Sequence, residues 1–125
     1  MPFVAEKRED KRYVLLDFEG SVTMSELELS RTALKTILIE SDGYKKVLVD
    51  MQKISHSVST IDIHKFVSSH KNELPPGFLI AIIVHPKDWA DAMFAENVAH
   101  NRGVFLRVFQ NDLHARAWLG ISDKY

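Results

Sequence analysis

The 125-residue chain contains no cysteine. This excludes disulfide scaffolds, thiolate metal sites and cysteine nucleophiles. Glycine is scarce, with five in all. Gly20, Gly43, Gly77, Gly103 and Gly120 each fall at the boundary of an expected element. None is left for a phosphate-cradling loop, so P-loop and dinucleotide fingerprints are missing. A G-x-S-x-G nucleophile elbow is also absent. Neither sign of charge is in excess, with 16 Lys and Arg against 17 Asp and Glu. The chain therefore lacks the basic footprint that nucleic acid or an anionic membrane would require. The longest apolar run covers residues 78–84, far short of the roughly 20 residues that span a bilayer. No export signal is evident at the start. A cytoplasmic protein without stable membrane insertion is the expectation.

Hydrophobic residues make up 46% of the chain and charged residues 26%, ordinary values for a globular protein. Residues 1–125 are expected to form one domain, because this length suffices for one core. A short strand over residues 3–7, a charged tip and a second strand over 12–18 read as an antiparallel pair. Thr23 and Glu26 have capping-box spacing. The helix they open carries Leu27, Leu34 and Leu38 on one stripe and stops near Gly43. Residues 46–50 form a strand with a continuous apolar centre, as in strands covered on both faces. A polar stretch, 52–59, follows. A helix then starts at Ser59 or Thr60, carries Ile63, Phe66, Val67, His70 and Leu74 on one face, and ends at Pro75-Pro76. Residues 78–84 are the best candidate for a central strand. Pro86 opens a third helix. Residues 104–109 form the last strand, and Asn111 or Asp112 caps a final helix that ends at Gly120.

The order is β-β-α-β-α-β-α-β-α. This predicts an α/β fold in a single layered domain, with a largely parallel sheet and an antiparallel edge strand. In open parallel sheets, sites form beyond the carboxyl ends of the strands. Asp50, His56, Ser57, His85 and Gln110 are the candidate binding pole on that basis. Six histidines invite a metal reading. Their spacing opposes it: His64 and His70 are six apart, on different sides of a helix. No metal site and no cofactor are expected.

Several segments together resemble the STAS superfamily, in particular its SpoIIAA-like group. They are Phe18-Glu19-Gly20, Lys46-Val47-Leu48-Val49-Asp50, Ala81-Ile82-Ile83-Val84 and Ala115-Arg116-Ala117-Trp118-Leu119. The resemblance covers nearly the whole chain. Anti-sigma-factor antagonists and CRAL-TRIO lipid-binding domains share the general fold. In the antagonists a regulatory phosphoserine begins the helix after the strand matching residues 47–50. The resemblance thus makes Thr60, with Ser59 beside it, the candidate phosphoacceptor. Val58 and Ile61 replace the Asp and Gly of the family's motif. The CRAL-TRIO likeness implies an apolar pocket near Trp89, Met93 and Phe94.

The expected function is a non-catalytic STAS-like regulatory module that binds a protein, of the anti-sigma-factor kind, or a small ligand. An apolar-ligand or lipid-binding protein is the first alternative. A small hydrolytic or transfer enzyme using His56, His85 and Asp50 is the second. A homodimer through the edge strand 3–7 is geometrically open, although the charges beside it discourage pairing.

Overall fold

The computed structural model describes residues 3–41, 43–70, 74 and 77–121. Strand β1 (Phe3–Arg8) turns into β2 (Tyr13–Ser21), followed by helix α1 (Met24–Glu40) and strand β3 (Lys46–His56). Helix α2 (Thr60–Ser68), strand β4 (Leu79–Val84), a 3-10 turn (Pro86–Asp88) and helix α3 (Trp89–Asn101) come next. Strand β5 (Phe105–Phe109) and helix α4 (Asp112–Leu119) complete the described chain.

The five strands lie side by side in chain order, β1 to β5. β1 is antiparallel to β2, and β2 to β5 are mutually parallel. A right-handed crossover between neighbouring strands places its helix on a fixed face. Because the order never reverses, α1, α2 and α3 all fall on the same face. The buried residues separate accordingly. Val14, Leu16, Val47, Val49, Ile80, Leu106 and Val108 pack with Leu27, Leu34 and Leu38 of α1, Val67 of α2 and Ala95, Val98 and Ala99 of α3. The alternate strand residues Tyr13, Leu48, Ala81 and Ile83 pack with Ala115, Leu119 and Ile121 on the other face. Among the described residues, α4 is the helix that covers that face. Ala81 and Ala115 are both fully buried, so their small side chains let α4 approach the sheet closely.

Helix ends obey local chemistry. Thr23 and Glu26 form the reciprocal capping box: the Glu26 amide donates to the Thr23 hydroxyl at 3.3 Å, and the Thr23 amide donates to the Glu26 carboxylate at 2.7 Å. At Gly120 the backbone is left-handed (φ 73°), and the Ile121 amide donates back to the Arg116 carbonyl at 3.0 Å. This closing turn drops Ile121 into the core beneath α4.

Two elements depart from the sequence reading. The polar stretch after residue 50 is not a loop, since β3 continues to His56. It pairs there with the equally polar end of β2, Glu19 with Lys53 and Ser21 with His56, across two register shifts. Backbone pairing with an adjacent strand supports this extension without an apolar pattern. Helix α2 is interrupted after Ser68 by a turn at Ser69, but His70 is helical again and the Leu74 amide donates to its carbonyl at 3.0 Å. The Ser69 hydroxyl and an Arg31 guanidinium nitrogen both donate to the Phe66 carbonyl, drawing the last turn out of helical pairing. Residues 71–73, 75 and 76, where the helix was expected to end, lie outside the described residues, as does Asp42.

Two stability measurements check this packing. Ile83 is fully buried and Leu29 is 57% exposed. Ile83→Ala should cost about 3 kcal/mol in urea unfolding, whereas Leu29→Ala should change stability by less than about 0.5 kcal/mol. Thr23→Ala should cost about 1 kcal/mol through loss of the cap.

Candidate functional site

Helix α2 packs on α1 and α3 rather than lying flat on the sheet. Beneath it is a cavity of about 110 Å³, open to solvent on one side. Ile63, Phe66 and Val67 of α2 form its roof, and Ala92 and Ala95 of α3 form one wall. Met51, Ile54, Ile82 and Val84 form its floor. An adjoining hollow of about 60 Å³ shares Leu27, Met51, Phe66, His70, Ile82 and Leu106 with it. The surfaces are overwhelmingly aliphatic and aromatic. The polar exceptions around the larger cavity are Ser57, His70, Asp88 and Asp91.

His70 is 7% exposed and lines both spaces. One Arg31 nitrogen donates to the Phe66 carbonyl at 2.8 Å, the Ser69 hydroxyl at 2.7 Å and His70 Nδ1 at 3.1 Å. The Arg31 guanidinium also lies 4.3 Å from the Phe66 ring centre, and the His70 ring meets Phe66 edge-on at 4.8 Å. Arginine can only donate, so Nδ1 must carry the lone pair and the ring proton must sit on Nε2. Burial, and then the adjacent Arg31 charge, push the His70 pKa down to about 4. The ring is therefore neutral at pH 7. It joins α1 to the carboxyl end of α2 and bounds the cavity with a single N–H donor.

The candidate binding pole is only partly assembled here. Ser57 lines the cavity. Asp50 is turned inward on itself, its carboxylate accepting from the Gln52 amide and side chain at 3.0 and 3.2 Å. His56 Nδ1 lies 3.4 Å from the Ser21 hydroxyl and 3.3 Å from that of Ser55, all on exposed surface. His85 caps the 3-10 turn by accepting from the Lys87 amide at 3.0 Å. Gln110 is exposed beyond β5. The rule that suggested this pole works where crossovers diverge to opposite faces. In this sheet the crossovers do not diverge, so the space opens under α2 and α3 instead of between the strand ends.

Trp89, Met93 and Phe94 are half-buried and pack against the core, but they do not line the cavity. The reason is helical phase. Asp91, Ala92 and Ala95 share the face of α3 turned to the cavity, with Asp88 at its N-cap, and small alanines there leave the room that larger side chains would fill. At the start of α2, Ser59 is the N-cap, accepting from the Asp62 amide at 3.2 Å. Thr60 is the first helical residue and is exposed. Among the described residues, no group of three or more His, Asp or Glu is placed to hold a metal ion. No helix among them is long and apolar enough to cross a membrane.

No family model and no curated protein sequence matches the chain. Solved structures do. An anti-sigma factor antagonist from Mycobacterium paratuberculosis aligns with a TM-score of 0.66 at 8% identity, covering 94% of this chain and 92% of that one. An uncharacterized DUF3478-family protein with a SpoIIAA-like fold, from Shewanella loihica PV-4, aligns with a TM-score of 0.57 at 21% identity, covering 94% and 91%. The chain thus has a SpoIIAA-like α/β fold.

The tautomer and the burial of His70 have a measurable consequence. An unfolded histidine takes up its proton near pH 6.5, and the folded one only near 4. The unfolded state therefore binds more protons between these values, so stability is full above about pH 6.5 and declines as the pH falls toward 4. The size of the loss is about 3 kcal/mol. Urea midpoints measured across this window should fall more steeply for the wild type than for His70→Gln.

Proposed function

We propose that this protein is a non-catalytic STAS-like interaction module whose ligand is a small apolar molecule held between α2, α3 and the sheet. The observation that carries the reading is the cavity beneath α2, walled by apolar side chains. Engineered apolar cavities of about 150 Å³ stay dry and bind benzene. The space here is of that order when the adjoining hollow is counted. It suits one aromatic ring or a short alkyl chain better than a whole lipid. The nearby groups that an enzyme might use are occupied in turns and caps: His85 by the Lys87 amide and Asp50 by Gln52. Toluene provides the test. Titrated into isotope-labelled protein, it should shift the amide resonances of Val58, Ile63, Phe66 and Ala92. Ala92→Leu should abolish those shifts by filling the space. No shifts at saturating toluene would overturn the reading.

A protein partner is the second reading, favoured by the surface of α2. Thr60 and Ile61 stand exposed at its first turn, Ile61 at 69%. One structural neighbour is an anti-sigma factor antagonist, so a regulatory contact through this helix suits the fold. A phosphate on Thr60 would meet the free amides and the positive end of the helix dipole. Ser59 is the poorer acceptor, because its hydroxyl is committed to the cap. Fragment-ion mass spectra of the protein from its native cells should then show phosphate on Thr60. A chain unmodified in both growing and stationary cells removes the switch.

A further inference from the structure

The apolar space borders one buried polar side chain with a hydrogen-bonding group left over. His70 lines both the cavity and the adjoining hollow and is more than nine-tenths buried. Its Nδ1 accepts from Arg31 at 3.1 Å, which leaves the ring proton on Nε2. That Nε2–H has no hydrogen-bond partner among the described residues. Fully enclosed polar side-chain atoms without a partner are Asp17 Oδ1 and the Ser68 hydroxyl oxygen. Nε2 is therefore unpartnered without being sealed in, and the space its ring borders is the cavity system. The other polar groups around the cavity are served already. Ser57 and Asp91 are exposed to water, and Asp88 pairs with Lys87 at 2.9 Å.

A lone N–H donor among apolar walls sets a requirement on an occupant. The ordinary partner of such a group is water. A wholly apolar molecule that displaced the water would leave the donor unpaired, and that costs more than a typical hydrogen bond gains. An occupant with an acceptor oxygen restores the bond. A hydroxyl group can accept, but its own proton would then need a second acceptor among aliphatic and aromatic walls. A carbonyl oxygen carries no such proton. A carboxylate would give up its hydration for a single neutral donor. The nearby Arg31 nitrogen is already donating to the Phe66 carbonyl, Ser69 and His70.

Resting on the apolar-ligand reading above, we infer that the site selects small neutral carbonyl compounds, a single ring or short alkyl chain bearing one ketone, aldehyde or ester group, with the carbonyl oxygen accepting from His70 Nε2–H. Arg31 is a positioning residue for this contact, because its bond to Nδ1 holds the proton on the nitrogen that the ligand needs.

Acetophenone and ethylbenzene share one shape and differ in the carbonyl, and benzoate adds a charge. Dissociation constants come from the amide chemical shifts of the labelled protein. Acetophenone carrying carbon-13 at its carbonyl reports the contact directly. Bound to the wild type, its carbonyl resonance should keep the downfield position of a hydrogen-bonded ketone instead of moving to its position in hexane. His70→Phe retains a ring of similar size and removes the donor. It should move the bound resonance to the hexane position and weaken acetophenone about tenfold without weakening ethylbenzene. If that variant does not fold, the wild-type carbonyl resonance decides alone. A hexane-like resonance in the wild type, or equal losses for both neutral probes in His70→Phe, overturns the carbonyl selectivity while leaving the apolar site standing. Tighter binding of benzoate than of acetophenone overturns it as well. Binding of neither neutral probe removes the apolar site itself, and this inference with it.

Discussion

Everything about this molecule's asymmetry follows from the fixed hand of its crossovers. A right-twisted strand feeding a helix returns to a parallel neighbour in only one sense. With five strands in chain order, three successive crossovers stack their helices on a single face. Among the described residues, the opposite face receives α4, which arrives after the last strand has ended. One face is thus crowded and the other thinly covered. On the thin side, the buried Ala81 and Ala115 make close contact compensate for the lack of a second helix. The Asp112–Arg116–Tyr13 chain, with its 2.8 and 3.0 Å hydrogen bonds, ties α4 across to β2.

The crowded side does not close completely. Helix α1 has 17 residues and α3 has 13, whereas α2 has 9. At roughly 1.5 Å per residue the shortest of these three helices cannot cover the strands beneath it and also bridge its longer neighbours. It bridges them, and the gap beneath becomes the cavity. Empty apolar space weakens packing, so α2 needs other attachment. Arg31 provides it from α1, holding the Phe66 carbonyl, Ser69 and His70 while covering the Phe66 ring. One guanidinium thus fixes the roof of the site, and by occupying Nδ1 it decides which nitrogen of His70 faces elsewhere.

Much of the fold was legible from residue patterns. The capping box at Thr23 and Glu26, the apolar strand read over residues 78–84 and found over 79–84, and Gly120 as a helix stop all reflect patterns within a few residues of each other. His70 was placed on the core-facing stripe of its helix by spacing alone, and it is buried there. The later part of β3 was not legible. Its residues 52–56 are mostly polar, and they are strand because β2 runs beside them. The CRAL-TRIO likeness implies a pocket near Trp89, Met93 and Phe94. The structure makes its space at Ala92 and Ala95, where side chains are small. Spacing from Asp88 through Ala95 carried that signal, a run of small and acidic residues on one helical face.

The sequence by itself determined the element order, the alternation of apolar and polar faces, the helix caps and the exclusion of nucleotide loops and thiol chemistry. These depend on local backbone preferences and on the periodicity of side chains, which neighbouring residues set. Only the tertiary structure decided that the strands follow chain order, that α2 stands away from the sheet, and that Arg31, Phe66 and His70 meet. Those facts depend on pairings between residues distant in the chain, such as Val14 with Val47 and Arg31 with His70, whose energies come from packing and from the pairing of buried polar groups. A linear pattern records which side chains want burial, but not which partners they will find or what space remains between them.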